Sequence, residues 1–306
     1  MRWTVTQMDL TPADGNAHAN PGPTPTVEPD APGEELVIRA RSGWSPVDWR
    51  ELLSHRELLF FLIWRDVKVK YKQAFFGFAW AVLVPLIQVL LFTLIGLAAG
   101  FDKHFADKPY ILYVYAGLLP WLFLSSSITN GGLSLMNQQN LLSKIYMPRL
   151  LIPASTIGTA LVDFTVSAAV FATLMAFFGF VPPATVAVLP LLILLAVVMA
   201  LGLAFMLSAL TINYRDVRFL IPFLAQVLMW VSAAVYPPRI FDRFPKYMGL
   251  LDFNPIYGVI CAFRSALLGE PWKPRSLVFA TAFAVVVFFW GMFYFKKAER
   301  RFADIA

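Results

Sequence analysis

Charge is scarce in this sequence. Only 14% of its 306 residues are Asp, Glu, Lys or Arg and 58% are apolar, against roughly 25% and 45–50% in a soluble domain. That balance excludes a soluble enzyme or a soluble binding module. Cys261 is the single cysteine, so there is no intrachain disulfide framework, and His18, His55 and His104 are too scattered to form a metal site. No Gly-x-x-x-x-Gly-Lys-Ser/Thr occurs, so no loop here cradles the phosphates of ATP. Any ATP-driven work would need a second polypeptide, and composition alone leaves open whether ATP is used at all. No RNA- or DNA-binding motif is present. The formal charge of +6 lies beside apolar runs, where it reads as a topology signal rather than a nucleic-acid surface. The start of the chain has no basic segment followed by an apolar core and a small-residue cleavage site, so no secretory signal is expected.

What is present is a series of long apolar runs. They predict an all-α polytopic membrane protein with about six transmembrane helices, near residues 78–99, 110–129, 150–180, 185–211, 219–236 and 276–295. Residues 1–34, with Pro12, Pro21, Pro23, Pro25, Pro29 and Pro32, read as a disordered tail. Residues 35–76 form an interface region, in which Ser45-Pro46-Val47-Asp48 carries the signals of a helix start. Residues 77–306 form the transmembrane domain. Arg215 and Arg218 after the fourth run, and Lys296, Lys297, Arg300 and Arg301 after the last, place both termini in the cytoplasm. Six basic residues between Arg239 and Arg275 would then face outside, which a longer loop tolerates. In that stretch, 237–275, prolines break the apolar pieces below spanning length. Two re-entrant half-helices turning at Asn254-Pro255 are expected, buried against protein.

The stretch from Arg56 to Pro85 changes character at Gly77. Before it, Phe60, Trp64, Val67, Tyr71 and Phe75 share one helical face and Arg65, Lys68 and Lys72 the opposite one, with Asp66 and Lys70 spaced to pair at i, i+4. This predicts an amphipathic helix lying among anionic headgroups and leading into the first span. Between Asn130 and Arg149 the chain is polar enough to leave the membrane, and Leu141, Leu142 and Ile145 with Lys144 predict a short surface helix.

Trp64-Arg65-Asp66-Val67-Lys68-Val69-Lys70-Tyr71-Lys72-Gln73, followed by Gly77, Trp80 and Pro85, resembles the corresponding signature of type-2 ABC exporter permeases that move lipid-linked polysaccharides such as O-antigen. Asn137 to Pro153 resembles the coupling segment of those permeases. Asn213 to Asp216, Tyr236-Pro237, Asn254-Pro255 and Arg264 follow the same family's order. Met147 departs from it where an aromatic is commoner, and Ser232-Ala233-Ala234 lacks a proline usual after the serine.

The resemblance implies a transport subunit in the bacterial inner membrane, with no catalytic residue, metal or cofactor of its own. It implies a homodimer with two copies of a separate ABC ATPase that holds ATP and Mg. Coupling to that ATPase would fall to Asn137, Leu141, Leu142, Lys144, Ile145 and Pro148. The helix bearing Arg65, Asp66, Lys68 and Lys72 would lie beside the gate where substrate comes in, and Asn254, Pro255 and Arg264 would form the outer gate. Teichoic acid, capsule polysaccharide or a small molecule are alternative cargoes. A secondary transporter would show paired repeats and several intramembrane charges, and a glycosyl-transfer enzyme would show acid or base clusters at a membrane face.

Some side chains carry two readings from the residues alone. Asp163, inside the third span, faces a cavity or a partner chain, or makes a helix-packing hydrogen bond. Aromatic residues near the span ends form an interfacial belt, or a path on which sugar rings slide, with Tyr115, Trp121 and Tyr236 as candidates. The basic face of the amphipathic helix binds anionic lipid, serves a gate, or does both.

Overall fold

A backbone inside a membrane finds no water, so it must satisfy its N–H and C=O groups internally, and apolar runs of this length do so as helices. The computed structural model describes residues 54–72, 77–104, 108–138, 147–238 and 245–302, and among them all regular secondary structure is helical. In order these are α1 (Arg56–Lys72), α2 (Ala79–Ala98), a 3-10 turn (Phe101–His104), α3 (Tyr110–Asn137) and α4 (Leu151–Phe177). A second 3-10 turn (Ala184–Val188) leads directly into α5 (Leu189–Asn213). Then come α6 (Val217–Val231), α7 (Pro245–Asp252), α8 (Pro255–Leu268) and α9 (Pro274–Phe302). Five of them, α2, α3, α4, α5 with its leading turn, and α9, are long and apolar enough to cross a membrane. The chain is a polytopic membrane protein. Its expected tail, the helix start at Ser45, and Leu141, Leu142, Lys144 and Ile145 lie outside the described residues.

The centre of the bundle is α3. Nearly every residue from Tyr110 to Leu124 is buried, and α4, α5, α8, α2 and α6 all pack on this helix. The sequence pattern ends this element near Thr129, yet it runs to Asn137, about 42 Å at 1.5 Å per residue. The polar residues that suggested an exit are small and are satisfied within the bundle: Ser134 Oγ donates to the Gly131 carbonyl at 2.7 Å, and Thr211 Oγ1 of α5 donates to the Gly132 carbonyl at 2.9 Å. Small hydroxylated and glycine positions are what closely packed membrane helices use at their contacts. The crossing of α5 and α9 is tighter still, since a Cβ at Gly291 would stand 2.2 Å from the Gly202 carbonyl oxygen.

Within the expected fifth span, 219–236, lies α6, an apolar helix of 15 residues, about 22 Å long against a hydrocarbon core of about 30 Å. The helix stops at Val231, and Ala233 takes a left-handed φ of 49°. At the far end of the chain, α9 continues past the expected boundary at Phe295 to Phe302. There Lys296 pairs with Glu299 at 3.1 Å, and Arg149 Nη1 donates to the Glu299 carbonyl at 3.2 Å. A second apolar cluster gathers at this end: Leu62 of α1, Leu135, Met147, Leu151, Phe205 and Phe295.

Candidate functional site

The first candidate region is the seat of α1. Leu58, Leu59 and Leu62 face the second cluster, while Phe60 and Trp64 are exposed and free to meet lipid. The side of α1 turned toward α3 and α4 also carries polar groups, and their bonds differ from the expected ones. The i, i+4 pair of Asp66 and Lys70 does not form. Asp66 instead accepts from Arg65 at 2.7 and 2.9 Å, and Arg65 Nη2 reaches Gln138 Oε1 just past α3 at 3.0 Å. Lys70 Nζ lies 2.5 Å from Asp163 Oδ2 of α4, and the Tyr71 hydroxyl donates to Asp163 Oδ1. The Asp66 carboxylate is already taken by its neighbour Arg65, which leaves Lys70 to the carboxylate that α4 brings against α1. Lys68 lies over the Trp64 ring at 4.8 Å, and Lys72 is exposed.

Burial, and then the hydrogen bond and charge of Asp163, push the Tyr71 phenol well above its ordinary pKa, so it stays a proton donor to that carboxylate. The triad stands at a cavity of about 320 Å³ bounded by α1, α2, α3 and α4, whose walls include Trp80, Pro85, Phe123, Ser126 and Phe164. Asp163 lines this cavity, and its bonds tie α1 to α4.

The second region is at the opposite end. Asn254 caps α8, its Oδ1 accepting from the Ile256 and Tyr257 amides at 3.0 and 3.4 Å, with Pro255 at the first helical position. Its Nδ2 donates to Ser232 Oγ at 3.0 Å, which holds the start of α8 against the end of α6. Every residue of α8 from Ile256 to Leu268 is buried. Arg264 is 2% exposed, and its guanidinium donates to the carbonyls of Ala233 at 3.1 Å and Ala234 at 2.7 Å. It also sits 4.0 Å from the centroid of the Tyr113 ring, a cation–π contact. Gly117 of α3 makes room for this: a Cβ there would stand 2.3 Å from both Arg264 Nη2 and the Ala234 carbonyl oxygen. The last carbonyls of α6, Leu228 to Val231, accept from the Ser232, Ala234 and Ala233 amides and from Asn254 Nδ2, and the buried arginine takes the next two, of Ala233 and Ala234, in the bend that forms here without a proline.

The aromatic candidates separate. Tyr115 is fully buried, donates to the Ser167 carbonyl at 3.0 Å and meets Phe171 edge-on. Trp121 is buried in the same core at 3% exposure. Tyr236 is half-buried and stacks on the half-exposed Trp230, which itself meets Phe92 of α2. Asn137 closes α3, and the Pro148 carbonyl accepts from the Leu151 amide at the start of α4. Sequence reasoning missed Lys70, Tyr71, Tyr113 and Gly117 as partners. Lys70 and Asp163 are 93 residues apart, and no local pattern marks such a pair.

These features define a multi-spanning membrane protein whose surface helix is tied to its bundle by polar bonds. The chain belongs to the ABC-2 type transporter family, which it matches over residues 57–268. It is 26% identical over 260 residues to the O-antigen export system permease protein RfbA of Myxococcus xanthus, covering 83% of this chain and 97% of that one. It is 24% identical to an O-antigen export system permease protein RfbA of Klebsiella pneumoniae, covering 81% and 95%. It is 25% identical to the polysialic acid transport protein KpsM of Escherichia coli, covering 78% and 92%.

Proposed function

We propose that this chain is the membrane-spanning permease subunit of an ABC exporter that carries lipid-linked polysaccharide of O-antigen type across the bacterial inner membrane. The observation that carries the reading is the match to O-antigen export permeases along nearly their whole length. The more distant likeness to a polysialic acid transport protein supports glycan export in general and keeps capsule-type polymers as a second cargo.

In this reading two copies of the chain assemble with two copies of a separate ATPase, which supplies nucleotide and magnesium chemistry. The α1 end faces the cytoplasm, as do both termini, and the Asn254–Arg264 end faces outward. ATP binding closes the ATPases, and the push arrives through residues 137–148 and α1. The polar ties of α1 then pass the movement on: Arg65 to Gln138 beside α3, and Lys70 and Tyr71 to Asp163 on α4. Arg264 and Asn254 hold the outer end shut until the path between protomers opens. Lys68 and Lys72 are exposed on α1 to anionic headgroups.

The test is deletion of this chain in its own host, followed by measurement of surface polysaccharide. Loss of the polymer with lipid-linked glycan accumulating inside, restored by the chain only together with its ATPase, is the expected result. Normal surface polysaccharide in the deletion strain would overturn the reading.

A further inference from the structure

The outward end of the bundle holds a cavity of about 350 Å³ that the export scheme above does not use. It lies where the end of α7 meets the start of α9, and its walls include Asp252, Trp272, Lys273, Arg275 and Ser276. The segment that carries it is well anchored: Lys108 Nζ donates to the Leu268 carbonyl at 2.7 Å and pairs with Glu270 at 3.2 Å. Asp252 Oδ1 accepts from Ser276 Oγ at 2.6 Å. Lys273 Nζ donates to the Tyr257 hydroxyl and lies 5.0 Å from the centroid of that ring. Trp272 is 38% exposed, and Arg275 is exposed with no hydrogen bond or ion pair among the described residues.

We infer that this cavity is a glycan subsite that takes an acidic sugar, such as a uronate residue. An indole face set beside charged groups suits a pyranose ring, which presents C–H bonds on one side and hydroxyls at its rim. Arg275 brings a free guanidinium fork, the geometry that holds a carboxylate through two parallel bonds. One oxygen of Asp252 is engaged by Ser276, and the other is available to a sugar hydroxyl. Two cations against one carboxylate leave a positive surplus, which selects an anionic sugar over a neutral one. The volume falls at the small end of ligand pockets, roughly 300–1,000 Å³, so it accommodates a short glycan segment rather than a bare ion. A phospholipid headgroup would be served by the two cations but would set its phosphate against Asp252, which disfavours it. The inference rests on the exporter reading for the source of the glycan and for the outward placement of this end.

The experiment uses the full chain, purified and held in nanodiscs of neutral phosphatidylcholine, with trigalacturonic acid as probe and maltotriose as the neutral comparison. Binding is read by isothermal titration. Trigalacturonic acid is expected to bind more tightly than maltotriose, and Trp272→Ala and Arg275→Gln are each expected to weaken it about tenfold, the loss of one stacking or charge-assisted contact. Lys103→Gln, an exposed cation on the Phe101–His104 turn at the same end, is expected to change nothing. Gel filtration confirms that each variant is folded. Equal binding by wild type and both site variants, or no preference for the acidic probe, overturns the inference. Displacement of trigalacturonic acid by phosphatidylglycerol added to the nanodiscs also overturns it, giving the cavity to a lipid. Failure of the exporter reading shows separately, as unchanged surface polysaccharide in the deletion strain.

Discussion

Arg264 holds the carbonyl oxygen of Ala234 at 2.7 Å from Nη2, and that bond ties α8 to the chain just beyond the end of α6. Buried carbonyls in a bend need partners as much as those of a helix end, and here the side chain of a residue 30 positions on supplies one for Ala234.

Arg264→Met should therefore bare two buried carbonyls at about 1–3 kcal/mol each. Gly117→Ala should cost about 1–3 kcal/mol by forcing a methyl against the same guanidinium. The two changes share atoms, so their effects should be clearly non-additive in a double-mutant cycle. Thermal unfolding in detergent measures all three variants. A melting temperature for Arg264→Met equal to wild type would remove the capping role.

The tie of Asp163 to α1 should behave differently. The pair is part-exposed, 46% for the Lys70 side chain and 23% for Asp163, so Asp163→Asn should change stability by less than about 1 kcal/mol. It should nevertheless loosen α1 from α4. With Cys261 replaced, spin labels at positions 68 and 159 should report a broader distance distribution in the variant. Stimulation of the partner ATPase should fall while the folded amount holds. Unchanged distances and unchanged stimulation together would refute the tie.

Purified alone, the chain should hydrolyse no ATP, since it has no phosphate-cradling loop. With its ATPase present, Leu142→Asp should abolish stimulation without affecting membrane insertion, because an apolar side chain leaving the membrane needs a dry partner. Wild-type stimulation by that variant would count against coupling through residues 137–148.

Orientation can be read directly. In intact cells of a strain lacking Cys261, Lys273→Cys should react with an impermeant thiol reagent added outside, and Arg215→Cys only after the cells are opened. The reverse pattern would invert the topology and remove the outer gate.

Length and apolarity made the long spans legible, and Asn254-Pro255 marked the start of α8, because both signals are local. Three features were not legible for one shared reason: the deciding partner is far along the chain. Residues 130–137 look like an exit because of Asn130, Gly131, Gly132, Ser134 and Asn137, and they continue the helix where α5 lies against Gly132 and Thr211 donates to its carbonyl. The bend after Val231 is held by Asn254 and Arg264, 23 and 30 residues on from the carbonyls they take. Phe60 and Trp64 are exposed, as a face turned to lipid would be, but the third side of α1, with Leu62 and Lys70, packs on partners far along the chain that the stripe does not name. Tyr115 and Trp121 looked like span-end rings, but their place on the central helix puts them inside the bundle.

The first span has only Pro85, Val89, Thr93 and Gly96 buried, one narrow row along its length, with leucines and isoleucines open on the remaining sides. For such side chains a lipid tail and a protein surface are nearly equivalent neighbours. Rolling α2 about that row exchanges one for the other at little cost, as a door turns on a single line of pins. The latch that Lys70 and Tyr71 make with Asp163 fastens α1, the helix that precedes this door, to α4.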